Sequence, residues 1–134
     1  MATLIAHIRV VEGQESRFES IARALFRTTH DTEPAVRRYE YWRAAQPREY
    51  YALIACDDFR GFITHQTSDH HESAAPDLGQ VIESLRLEWV DPVAGASDLP
   101  PTEMQQAVPD ADDLTRTYTE RFAAQIAPWW LALR

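Results

Sequence analysis

The chain has 134 residues, 45% of them hydrophobic, a formal charge of −8, and arginine at every one of its 13 basic positions. That is enough apolar material for one packed core, while the acidic balance lacks the cationic footprint that nucleic acid or an anionic membrane surface requires. No apolar run reaches the ~20 residues of a spanning helix, the opening MATLIAHIRV lacks a leader pattern, and the single cysteine, Cys56, permits no intrachain disulfide and fits a reducing cytoplasm.

Taken in order, Thr3 to Val11 alternates with β-branched residues and predicts a strand with Leu4, Ala6, Ile8 and Val10 on one side. After the Glu12-Gly13 turn, Phe18, Ile21, Ala22 and Leu25 recur at helical spacing, predicting an amphipathic helix from Gln14 to about Thr29. His30 falls in its last turn and is read as structural, a cation suited to the helix C-terminus. Val36–Arg43 and Glu49–Cys56 read as an antiparallel hairpin around Gln46-Pro47.

The stretch Asp58 to Glu72, DFRGFITHQTSDHHE, carries three of the five histidines. Asp58 suits an N-cap, Phe59, Phe62 and Ile63 form an apolar face, and Thr67-Ser68 break the run and offer a second cap. Two helical pieces, 58–66 and 69–75, are expected, with a further short turn beginning at Pro76-Asp77. Glu83–Val90 alternates as a fourth strand. The order β-α-β-β-α-β predicts an α+β, ferredoxin-like fold: a four-stranded antiparallel sheet with helices on one face. The other face, long and apolar, is expected to pair with a second copy in a homodimer. Residues 1–92 form this domain, 93–109 a proline-rich connector, and 110–134 an appendage. In it, Leu114, Tyr118, Phe122 and Ile126 predict a helix stopped by Pro128, followed by an apolar tail that docks on a partner or closes an opening of its own domain.

Gly13 opening the first helix, Phe18 on its buried face, Glu33-Pro34 after it, Asp58, and the His65-x-x-Ser68-x-His70 element together resemble the antibiotic biosynthesis monooxygenase superfamily over roughly residues 3–92. The resemblance implies a dimeric α/β barrel of ferredoxin-like subunits, within a superfamily that holds quinol and anthrone monooxygenases and haem degraders. Ile54 and Cys56 stand where many members carry an acidic residue and an aromatic. The positions matching the haem-degrading branch, Ala6, His65 and Ala75, lack its axial ligand, so no cofactor is expected. The anthrone branch's Asn, Trp, Tyr set corresponds to Gly61, His65 and His71.

Oxygenation without a cofactor needs an electron-rich aromatic, a base, dioxygen and a dry cavity, and histidine is a suitable base near neutral pH. His65 and His71 are the candidate catalytic residues, six apart across the break. In the alternative arrangement His65 closes its helix while His70 and His71 are solvated. His7, Trp42, Tyr51, Phe62, His70, Arg86 and Trp89 are the candidate substrate contacts, against the alternative that the aromatics only pack the sheet and that Arg86 pairs with Glu40 or Glu88. A metal set of His65, His70, His71 and Glu72 is not expected, because positions five and six apart on one helix diverge. Cys56 reads as a small core residue. The expected function is oxidation of a quinol- or anthrone-type aromatic by dioxygen, with no nucleic-acid or membrane partner; the alternative is a non-catalytic dimeric ligand-binding protein of the same fold.

Overall fold

A computed structural model describes residues 1–134. The elements are β1 Ala2–Val10, α1 Glu15–Thr32, β2 Val36–Arg43, β3 Glu49–Cys56, α2 Phe59–Gln66, α3 Asp69–Val81, β4 Ile82–Trp89, α4 Asp113–Arg121 and α5 Pro128–Leu131. The strands form one antiparallel sheet in the order β2-β3-β1-β4, the ferredoxin-like arrangement that the alternation and element order predict.

Side-chain alternation sorts the sheet into two faces. Leu4, Ala6, Ile8 and Val10 of β1 are buried against the helices, whereas Ile5, His7 and Arg9 between them are only half-buried. The core is two clusters. One gathers Leu4, Tyr39, Ile54, Phe59, Phe62 and Ile63 under α2; the other gathers Ile8, Val10, Phe18, Tyr50 and Val81 under α1 and the end of α3. Asp58 caps α2 as expected, its carboxylate accepting from the Gly61 N–H at 2.7 Å. Ser68 stands at the N-cap of α3 but donates its hydroxyl back to the His65 carbonyl at 2.8 Å.

Three expectations are corrected. Pro76 does not start a separate turn: α3 runs through it to Val81. Its ring is exposed, and the helix loses one backbone donor while the buried Val81 holds its far end in the core. The appendage helix ends at Arg121 instead of running to Pro128. Beyond it the chain is pinned by Trp89 Nε1–H donating to the Ala123 carbonyl at 3.1 Å and by the Ala124 N–H donating to Gln105 Oε1 at 3.0 Å. Pro128 then opens α5 instead of stopping a helix, the first-turn position where a missing N–H costs nothing. Third, the sheet face away from the helices is less apolar than expected. Ile5, Leu53, Tyr51 and Trp42 are flanked by a His7–Glu88–Arg86 cluster and by the Arg38–Asp98 pair. The connector also crosses one end of the sheet, where the Glu103 N–H donates to the Met1 carbonyl at 2.8 Å and the Thr102 hydroxyl to the Val90 carbonyl at 2.6 Å. In the tail, Trp130 faces a groove beside Phe62 and Trp89, while Trp129 and Leu133 stay exposed. No helix is long and apolar enough to cross a membrane.

Candidate active site

A hollow of about 400 Å³ lies at the seam of the two core clusters, between the sheet and α3, within the range of roughly 300–1,000 Å³ typical of small-molecule sites. The sequence explains why it is there. Ala6 of β1 lies directly opposite Ala52 of β3, both on the helix-facing side, between the larger cross-strand pairs Leu4–Ile54 and Ile8–Tyr50. Two methyl groups in the middle of the sheet leave a dip in its surface. The roof is equally spare: His71, Ala75 and Gly79 recur every fourth residue along α3 and line the same space, so one helix face presents an imidazole followed by two of the smallest side chains.

His71 is thus turned into the hollow. Burial, together with the nearby His65 and His70, pushes its pKa down to about 4, so the ring is unprotonated at neutral pH. Its Nδ1 is buried without a hydrogen-bond partner. Tyr41 lines the same space, its hydroxyl 2.5 Å from that of Tyr39; burial raises the Tyr41 phenol to about 12, and the Tyr39 hydrogen bond only partly opposes this. Both phenols therefore stay protonated. Gln66, also buried, completes this polar end, and Tyr118, Arg121 and Phe122 of the appendage stand on the opposite rim.

His65 and His70 lie behind this wall, not on it. His65 is fully buried, and its Nδ1–H donates to Glu33 at 3.0 Å. His70 Nε2 lies 2.8 Å from the same carboxylate and 3.1 Å from the Thr29 hydroxyl. Burial pushes Glu33 up, but the His65 hydrogen bond and the charges of His65 and His70 outweigh it, so the carboxyl sits below its ordinary range. The His65 ring is 5.1 Å from that of His71 and 4.7 Å, edge-on, from that of Tyr39. His65 Nε2, like His71 Nδ1, is buried with no partner.

The divergence expected of these histidines on one helix does not hold, because Thr67 and Ser68 separate α2 from α3. Glu33, His65 and His70 bring three ligand-type atoms within 4.8 Å of one another. Those atoms already satisfy each other as hydrogen bonds, and closing around a cation would require both imidazoles to give up their contacts to Glu33. Glu72, the carboxylate of the sequence-derived set, is elsewhere, accepting from the Tyr118 hydroxyl.

The remaining sequence candidates are divided between two places. Phe62 and Trp89 stack edge-on at 5.2 Å in the core and face the groove beside Trp130. His7, Tyr51, Trp42 and Arg86 lie on the opposite face of the sheet, His7 donating to Glu88 at 3.0 Å and packing edge-on against Tyr51, and Arg86 paired with Glu88. Cys56 is a core residue, burial pushing its thiol to about 12. Tyr41 is one of the strand aromatics whose sequence position allows stacking on an aromatic substrate, whereas Glu33 carries no such signal, the Glu-Pro motif marking it only as a turn. A larger groove of about 730 Å³ between α1 and the edge of β2 carries no imidazole; of its ionic groups Glu19, Arg23, Glu40 and Arg43, Glu19 pairs with Arg43 at 2.7 Å and with Arg23 at 3.6 Å.

Comparison with known proteins places this geometry in a family. A search of curated proteins finds no match. Among solved structures, a Pseudomonas aeruginosa protein superposes with a TM-score of 0.64 at 19% identity, covering 69% of this chain and 94% of the other. A Mycobacterium tuberculosis protein gives 0.64 at 18% identity, covering 72% and 98%. A Bacteroides protein described as an antibiotic biosynthesis monooxygenase gives 0.66 at 13% identity, covering 78% and 95%. The sequence model of that family matches residues 1–77. The chain, with its ferredoxin-like sheet and its imidazole-lined hollow, belongs to the antibiotic biosynthesis monooxygenase family.

Proposed function

We propose that the protein is a monooxygenase that oxidises a quinol- or anthrone-type aromatic with dioxygen, with His71 as the base. Family membership supports the monooxygenase role. The observation that carries the assignment of the base is an unprotonated imidazole, that of His71, on the wall of a largely apolar hollow. An acidic substrate proton next to His71 meets a neutral imidazole able to take it, and the imidazolium–enolate pair that results is held in a low-dielectric space where its attraction is strong. The carbanion form of the substrate then reduces dioxygen by one electron. Recombination of the radical pair forms a C–O bond, the peroxide anion takes the proton back from the His71 imidazolium, and loss of water from the resulting hydroperoxide leaves a ketone. One substrate CH2 and one O2 become one C=O and one H2O. Behind His71, His65 and its Glu33 partner fix the wall against which the ring packs.

The functional unit in this reading is a homodimer joined through the face bearing Ile5, Leu53, Tyr51 and Trp42, whose exposed aromatics support such a pairing; sedimentation of the intact chain measures it directly.

Oxygen uptake with a panel of anthrones and hydroquinones tests the assignment. His71→Ala is expected to lower the rate about a hundredfold or more, the usual contribution of a positioned base, with the circular dichroism spectrum unchanged. Uptake that survives in His71→Ala rejects His71 as the base. Wild-type binding of these compounds without uptake leaves a ligand-binding protein.

A further inference from the structure

We propose that the rim of the hollow is an anion-recognition site, in which Arg121 of the appendage selects aromatic substrates that carry a carboxylate. The inference rests on the reading of the hollow as the substrate site and adds the chemical class that enters it.

Arg121 is the last residue of α4 and lines the hollow of His71 on one side and the groove beneath Trp130 on the other. Its guanidinium carbon lies 5.1 Å from the centre of the Phe122 ring, which holds the group over an aromatic surface. Phe122 is in turn stacked on Tyr118 at 5.5 Å, the planes 14° apart, and Tyr118 is tied to α3 through Glu72. The arginine is therefore mounted on a braced platform.

What it lacks is a counter-ion. The arginines nearest in the chain or in the groove are paired: Arg86 with Glu88, Arg116 with Asp113, Arg134 with Asp91. Arg121 makes no ion pair, although the chain carries 21 acidic residues against 13 basic ones. The one other charged side chain on the rim, Glu83, is already occupied by Arg48 at 3.0 Å and Arg9 at 3.6 Å. His71 inside is neutral. The hollow thus presents an apolar floor for a flat ring, a proton acceptor within, and one uncompensated planar cation at its mouth. That combination is complementary to an aromatic whose reacting carbon lies deep and whose carboxylate stays at the rim, where the guanidinium can donate two parallel hydrogen bonds. Tyr118, Arg121 and Phe122 all lie beyond the residues matched by the family model, so the appendage confers this selectivity on a scaffold that does not itself supply it.

Equilibrium binding to the intact chain, followed by tryptophan fluorescence, separates this inference from the oxygenase reading because it needs no turnover. The probes are anthraquinone-2-carboxylate and anthraquinone-2-carboxamide, matched in ring and size. The wild type is expected to bind the carboxylate about tenfold more tightly, the scale of one charge-assisted contact at a partly wetted site, and to lose that margin as salt is raised. Arg121→Gln should bind both compounds alike, Arg121→Lys should keep part of the preference, and Arg27→Gln, which removes another unpaired arginine on α1, should leave it intact. Equal wild-type binding of the two probes, or a preference that persists in Arg121→Gln, overturns the inference while leaving His71 and the oxygenase reading standing. Failure of both probes to bind overturns the inference and the substrate-site reading together.

Discussion

The corner formed by Glu33, His65 and His70 and the hollow lined by His71 are a few ångströms apart, yet only the first anchors its imidazoles to a carboxylate. In the corner one carboxylate serves two histidines, and Thr29 and Ser68 close in around His70. In the hollow the ring of His71 has a buried nitrogen with nothing to bond. A buried polar group that is fully paired stabilises a fold or fixes its geometry. One left unpaired costs free energy in the empty state and recovers it when a ligand supplies the partner. The difference between the two regions is the carboxylate: Glu33 anchors His65 and His70 through one nitrogen each, His65 Nε2 remaining without a partner, whereas His71, the next residue after His70, has no such anchor and lines the hollow.

The largest expected effect that bears on this contrast is in the corner. Glu33→Ala removes the shared carboxylate and should destabilise the protein by about 3 kcal/mol, as when one partner of a buried pair is deleted; chemical denaturation measures it. His71→Leu should change stability by less than about 1 kcal/mol in either direction, because it replaces a partnerless polar ring with an apolar one of similar reach. Equal losses in the two variants would break the contrast.

Acid sharpens it further, because the two regions titrate in different windows. The folded state holds the His71 proton more weakly than the unfolded chain, with the pKa moved from 6.5 to about 4. Its neutral form therefore favours folding fully above 6.5, and that contribution is lost as pH falls toward about 4, by up to about 3 kcal/mol. Glu33 is lowered from 4.5, so its contribution is present above 4.5 and lost only as pH falls below that value. Thermal unfolding between pH 7 and 4.5 should steepen in the wild type and flatten in His71→Leu, with Glu33, His65 and His70 unchanged as neighbours in both.

The smallest effect concerns the cap. Asp58→Ala should cost about 1 kcal/mol through the lost bond to the Gly61 N–H. That loss loosens α2 and with it the corner, and leaves ligand affinity in the hollow close to the wild-type value; a titration with anthraquinone-2-carboxylate makes the check.

Much of this was legible in the chain because it is written locally. The alternation of Leu4, Ala6, Ile8 and Val10, the helical spacing of Phe18 to Leu25 and the capping chemistry of Asp58 each need only a few consecutive residues. So does the break at Thr67-Ser68, which sends His65 and His71 into separate helices. Glu33 was hidden because its bond to His65 spans 32 positions and exists only once α1, α2 and the sheet have packed. The early end of α4 was hidden for the same reason: Leu114, Tyr118, Phe122 and Ile126 keep helical spacing, but the Trp89 indole captures a carbonyl at Ala123 and the chain leaves the helix to meet it. The separation of His7, Tyr51, Trp42 and Arg86 from the hollow follows from strand parity, which places odd positions of β1 and their cross-strand partners behind the sheet.

The facing pair Ala6 and Ala52 has a bearing on how such a scaffold diverges. The depth of the dip is controlled by two side chains of a single carbon each, far from the caps, the braced corner and the helix that carries His71. Valine or glycine at either position would reshape the floor by a methyl group or two, in a place where added atoms meet vacant space instead of packed neighbours. Descendants of this chain could thus exchange one ring system for another without disturbing the machinery above it.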